Sequence, residues 1–246
     1  MKQLLAAAFA GAALLPNAAA AEPGRAAEIY GPGVTQGETE LELRSGVFDG
    51  GAADGDWQVK AEFSHAFTDW WRPGLVAEWQ GGAGGSAFTS LAIENVFDLT
   101  ATRDWPVHLG LYAEYVFAQA GADEIELKLL LGRERGPLGL TLNLIAERHV
   151  GAGASDEWEF GYAAEAAFAL NEDFALGVQG FGDAGADQDF GLGDQAHYWG
   201  PFGAFELAHV GDGEVELQLG YLFGSGEAIA DGQFRLKLEY EFGDEH

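Results

Sequence analysis

Residues Gly232 to Phe242 alternate without a break. Phe234, Leu236, Leu238, Tyr240 and Phe242 fall on one side, and Gln233, Arg235, Lys237, Glu239 and Glu241 on the other. A period of two makes a β-strand with one apolar and one polar face. The run is also as long as a tilted strand needs to be to cross a bilayer, about 9–11 residues. A chain built from such ribbons must bury their apolar faces against each other or present them to lipid.

Twelve alternating segments follow Gly37. Their apolar sides include Leu41, Leu43 and Val47 in the first, Val59, Ala61 and Phe63 in the second, and Leu109, Leu111, Ala113 and Tyr115 in the fifth. The sixth carries Ile125, Leu127, Leu129 and Leu131, and the eleventh Val215, Leu217, Leu219 and Tyr221. The tenth, from Tyr198 to Leu207, is interrupted by Pro201 and Gly203. Gly- and Asp-rich connections (Asp49–Asp56, Gly81–Ser86, Ala118–Asp123, His149–Asp156, Gly182–Ala196, Gly224–Asp231) follow the odd segments, and mostly shorter links follow the even ones. Arg72, Arg103, Arg133 and Arg135 lie near the short links.

The first residues belong to a different category. Lys2, the apolar run Leu4–Leu15 and the small residues Ala18–Ala21 have the layout of a cleaved signal peptide over 1–21. The run is too short to span a bilayer and ends at Pro16, and no later apolar stretch is long enough for a membrane helix. Residues 22–36, with Pro23, Gly24, Gly31, Pro32 and Gly33, show no period and are expected to form a flexible leader ahead of a barrel over 37–246.

A soluble sandwich or lipocalin-like cup also alternates. It has no reason, however, to gather aromatics into two bands. Trp70, Trp71, Phe97, Trp105, Phe168 and Phe174 fall near the short links. Phe48, Trp57, Trp79, Phe117, Trp158, Phe181, Trp199, Phe223 and Phe234 fall near the long ones. Bands at both interfaces belong to membrane barrels. From its signal peptide to a last strand ending Tyr240-Glu241-Phe242, the chain resembles a Gram-negative outer-membrane β-barrel protein, although Gly243–His246 follow the aromatic that usually ends such chains. The resemblance is to the class. It implies an all-β, closed, antiparallel up-and-down barrel of about twelve strands, set in outer-membrane lipid.

The polar faces define the candidate interior: Glu40, Glu42, Arg44, Lys60, Glu62, Glu114, Lys128, Glu214, Glu216, Arg235, Lys237 and Glu239. If the twelfth strand closes on the first, Arg235 and Lys237 lie between the glutamates of the eleventh and first strands. Lys60 is then placed to meet Glu42, and Lys128 to meet Glu114. The formal net charge of −28 leaves no basic face for nucleic acid. It fits either a narrow acidic path for cations or small cationic solutes, or a hydrogen-bonded filling of a closed structural barrel. A third alternative is a surface-binding barrel with acidic loops.

Catalysis has little support. The one adjacent Ser–His pair, Ser64-His65, points to opposite faces of a strand, so the two side chains cannot act as nucleophile and base. The remaining histidines have no metal-ligand spacing, and there is no cysteine. No cofactor is expected. Asp183, Asp187, Asp189 and Asp194 in the longest loop are candidate calcium ligands, but their spacing departs from the known calcium-loop pattern.

Overall fold

The computed structural model describes residues 25–101, 105–193 and 195–243. The expected signal peptide, Pro23, Gly24, Arg103 and Asp194 lie outside the described residues. Twelve strands follow one another: β1 (Thr39–Asp49), β2 (Trp57–His65), β3 (Trp71–Gly82), β4 (Gly85–Asp98), β5 (His108–Ala118) and β6 (Asp123–Arg135), then β7 (Leu138–Val150), β8 (Glu159–Ala169), β9 (Phe174–Ala186), β10 (His197–Val210), β11 (Gly213–Ser225) and β12 (Gly232–Phe242). Each is antiparallel to its neighbours. β12 pairs with β1 from Thr39–Phe242 to Asp49–Gly232, closing the sheet into an up-and-down barrel. Closure removes the edges, so the strands satisfy their backbone groups without water. No helix among the described residues is long and apolar enough to cross a membrane.

The alternation settles which side is which. Along β1, Glu42, Arg44 and Phe48 are buried, while Leu41 and Leu43 on the opposite face are 45% and 42% exposed. Leu75, Ile93, Leu111, Leu127, Leu140, Leu176 and Leu219 continue this exposed apolar band on β3, β4, β5, β6, β7, β9 and β11. Such a band far exceeds what a water-soluble surface carries; it is a lipid-facing wall. Trp70, Trp105 and Phe168 stand exposed at the short-turn end, and Trp79, Phe117, Trp199, Phe223 and Phe234 toward the loop end. Phe48 and Phe181 depart from that outer band. They turn inward and are almost fully buried, with Tyr198 and Leu222, in an apolar cluster that also takes in Ala53 and Ala230 from the first and last long loops.

Two local irregularities follow from backbone chemistry. Between the pairs Trp199–Phe223 and Phe202–Gly220 the β10–β11 ladder is interrupted at Pro201, which has no N–H to donate. The Gly81–Ser86 stretch, expected as a long loop, is instead the tip of a hairpin, with β3 and β4 paired as far as Gly82–Gly85.

The larger departure is at the N-terminal end. The segment 25–36, expected as a flexible leader, runs inside the barrel from the long-loop end down to Gly37 at the turn end. Arg25 lies against Phe48, and the Gly37 amide donates to the Ala66 carbonyl. Ala26 and Tyr30 are buried. Burial follows from the contents of the segment: Ala26, Ala27, Ile29, Tyr30 and Val34 give it apolar surface to bury, and Glu28 gives it a charge to pair.

Candidate functional site

The interior is organised by strand register. Reading across β11, β12, β1 and β2, opposed residues form rungs: Glu214–Glu241–Glu40–Ser64 nearest the turn end, then Glu216–Glu239–Glu42–Glu62. Above these comes Gln218–Lys237–Arg44–Lys60, and then Gly220–Arg235–Gly46–Gln58. Inside the facing half of the barrel, Glu94, Glu114, Glu126, Glu147 and Glu159 oppose one another in succession across β4 to β8. Like charges directly opposite in a sheet destabilise it, so each acidic rung needs compensation.

Part of that compensation comes from the basic rung. Arg44 Nε lies 2.8 Å from Glu42, and its Nη2 donates to Glu62 at 2.9 Å. Lys237 bridges Glu42 of β1 at 2.9 Å and Glu239 of its own strand at 2.6 Å. The other expected partners are rearranged. Lys60 pairs with Glu78 at 3.6 Å rather than Glu42, because Arg44 already occupies Glu42. Lys128 pairs with Glu126 at 2.9 Å rather than Glu114, whose carboxylate accepts from the Tyr112 hydroxyl at 2.9 Å. Arg235 pairs with neither set of glutamates; it stacks 4.0 Å over the Phe181 ring and donates to the Ala27 carbonyl.

The inner segment supplies the rest. Glu28 accepts from Arg44 and, at 3.0 Å, from Lys237. The Tyr30 hydroxyl donates to Glu94 at 2.7 Å, and the Tyr112 oxygen lies 3.1 Å from the same carboxylate. Lys128 sits 4.7 Å above the Tyr30 ring and 4.5 Å above Tyr112. Asn143 of β7, fully buried, holds the Tyr30 backbone with both ends of its amide: the Tyr30 N–H donates to Oδ1 and Nδ2 donates to the Tyr30 carbonyl, each at 2.8 Å. Apolar clusters flank the segment on two sectors of the wall. Val96, Tyr112 and Leu130 pack with Tyr30 and Val34; Phe48, Phe181, Tyr198 and Leu222 pack with Ala27 and Ile29.

Of the twelve residues expected inside, Glu42, Arg44, Glu62, Glu114 and Lys128 are buried, and Glu40, Lys60, Arg235, Lys237 and Glu239 are partly so. Glu214 stands at the rim beside His209, exposed. Glu216 is exposed to a cavity of about 160 Å³ within the barrel, shared with Glu28, Arg44, Glu165, Gln179 and Lys237. Gln179 closes one side of it, donating to Glu165 at 2.8 Å and to Gln218 at 2.7 Å. Asn143, Tyr112 and Arg72 are interior residues that the acidic pattern did not single out. Arg72 joins Glu38 and Glu40 near the turn end.

Ser64 points inward and donates to Glu40 at 3.1 Å, while His65 is hydrogen-bonded at 2.8 Å to Thr39. Among the described residues, Asp183, which lies in β9 rather than a loop, and Asp187 and Asp189 beyond that strand do not converge on a common point.

This is a twelve-stranded, lipid-facing barrel of the outer-membrane class, with charged rungs inside. No protein-family model matches the sequence, and no curated protein matches it. Solved structures do match the fold. The NanC porin aligns with a TM-score of 0.57 at 11% identity, over 83% of this chain and 100% of its own. An outer membrane channel from Pseudomonas putida F1 gives 0.56 at 13%, over 85% and 96%, and the KdgM porin 0.54 at 9%, over 83% and 99%. At these identities the likeness is one of fold.

Proposed function

We propose that the protein is an outer-membrane channel for small cations or small cationic solutes, exported by a signal peptide over residues 1–21, with its turns in the periplasm and its long loops outside. The observation that carries this reading is the set of acidic rungs. Filling a closed barrel calls for residues that pair or stay neutral. Here Arg44, Lys237 and Lys128 pair with some of the acids, but along Glu216–Glu239–Glu42–Glu62 and Glu94 through Glu159 carboxylates still outnumber the bases that meet them. That arrangement costs stability, and it raises the local concentration of cations along the wall. The KdgM porin has been solved in complex with oligogalacturonate, an acidic sugar chain. A wall with excess carboxylate suits cargo of the opposite sign.

The test is the reversal potential of the purified protein in planar bilayers under a KCl gradient. A cation-selective potential is expected, falling toward zero in Glu216→Gln and Glu40→Gln. An anion-selective or unselective current refutes the reading. A second reading, a permanently closed structural barrel, is favoured by the segment inside it and requires that no variant conducts.

A further inference from the structure

We infer that residues 25–36 are a displaceable plug, an autoinhibitory contact that shuts the barrel and gates it by withdrawing. This rests on the channel reading, and it explains how a conduit and a filled interior belong to one molecule.

The wall is shaped for the segment. Gly46, Gly110 and Gly132 all lie at inward-facing positions where strands elsewhere carry side chains. A Cβ at Gly46 would run into the Arg25 carbonyl, one at Gly110 would lie 3.0 Å from Pro32, and one at Gly132 would lie 2.8 Å from the same ring. Three bare positions on β1, β5 and β6 therefore form a track for the backbone at both ends of the segment.

The attachment is also of a kind that can let go. Residues 25–36 belong to no strand. Much of their hold comes from side chains of the wall: Gln58 to the Ala26 amide, Arg235 to the Ala27 carbonyl, Asn143 to both backbone groups of Tyr30, and Arg44 with Lys237 to Glu28. Closure of the barrel does not depend on these contacts, because β1 and β12 pair along their whole length without them. Withdrawal leaves the ladders intact. It also frees Arg44 and Lys237 from Glu28, and it removes Tyr30 from its place between Glu94 and Lys128.

The experiment compares the full mature chain with one lacking residues 25–36, both checked for folding by heat-dependent gel mobility and β-sheet circular dichroism, in planar bilayers with KCl alone. The parent should open rarely, and the deletion should conduct for most of the record. Glu28→Ala should raise the open time roughly tenfold, as expected for loss of charge-assisted bonds. A folded deletion variant that conducts no more than the parent overturns the plug. If the deletion fails to fold, the double variant Glu28→Ala/Tyr30→Ala decides in the same assay, with unchanged open time overturning it. A deletion that conducts without cation preference leaves the plug standing and removes the cation reading; a parent that is already open and cation-selective does the reverse.

Discussion

Asn143→Ala is the sharpest perturbation of the inner segment. The Asn143 side chain makes two 2.8 Å hydrogen bonds to the Tyr30 backbone from a fully buried position. Each is worth roughly 0.5–1.5 kcal/mol net, and more if the Tyr30 groups stay dry once the amide is gone. Loss of both should therefore cost the seated state about 1–3 kcal/mol, which corresponds to roughly a 5- to 150-fold rise in the withdrawn population. The barrel wall should be spared, since the β6–β7 and β7–β8 ladders do not use that side chain. Because the chain has no cysteine, Ala26→Cys provides a unique reporter at a position only 1% exposed in the seated state. When opening and closing are fast relative to labelling, the rate of thiol modification tracks the open population. Asn143→Ala in that background should speed labelling by the same factor while leaving heat-dependent gel mobility unchanged. A labelling rate within about twofold of the parent refutes the assignment of Asn143 as the clamp.

Other outcomes follow from the same structure. Gly46→Val should expel the upper part of the segment, since its side chain must occupy the place of the Arg25 carbonyl, and bilayer recordings should then show a large gain in open time. Lys237→Met leaves Glu42 and Glu239 facing each other without their bridge. Discounting for partial exposure of the lysine, a loss of about 2–3 kcal/mol is expected in urea unfolding from detergent micelles; a change under about 0.5 kcal/mol contradicts the role given to the basic rung. Brominated lipid should quench the fluorescence of Trp70, Trp79, Trp105 and Trp199, all of them exposed on the outer wall. Tryptophans that remain unquenched in proteoliposomes would refute the lipid-facing assignment.

Much of the architecture was legible because a closed barrel writes itself into sequence with a period of two. Leu41, Leu43, Leu75 and Ile93 identify the outer face as surely as Glu42 and Glu62 identify the inner one. Partnerships were less legible. Period two gives the face of Lys60 and Lys128, but not which of several carboxylates within reach of a long side chain will win. Phe48 and Phe181 illustrate another limit: an aromatic near a strand end suits an interfacial band and an inner cap equally well, and only parity against its neighbours tells them apart. Residues 25–36 were the least readable, because a segment without secondary structure carries no period. The clues that existed were small, an Ile-Tyr pair in a Gly/Pro-rich stretch and glycines at inward positions of β1, β5 and β6.

The order of the rungs gives the barrel polarity. From the turn end upward on the β11–β2 side, the wall runs from carboxylates to Lys237 and Arg44, then to Arg235, and finally to Phe48 and Leu222. In the proposed channel, a cation entering from the turn end would meet the carboxylates of this side before Lys237, Arg44 and Arg235, whereas one arriving from the loop end would meet the basic side chains first. An uneven order of charge along such a conduit would favour ion flow in one direction over the other. Once the conduit is unobstructed, its current should differ between equal voltages of opposite sign, and Lys237→Met should make the two branches more alike.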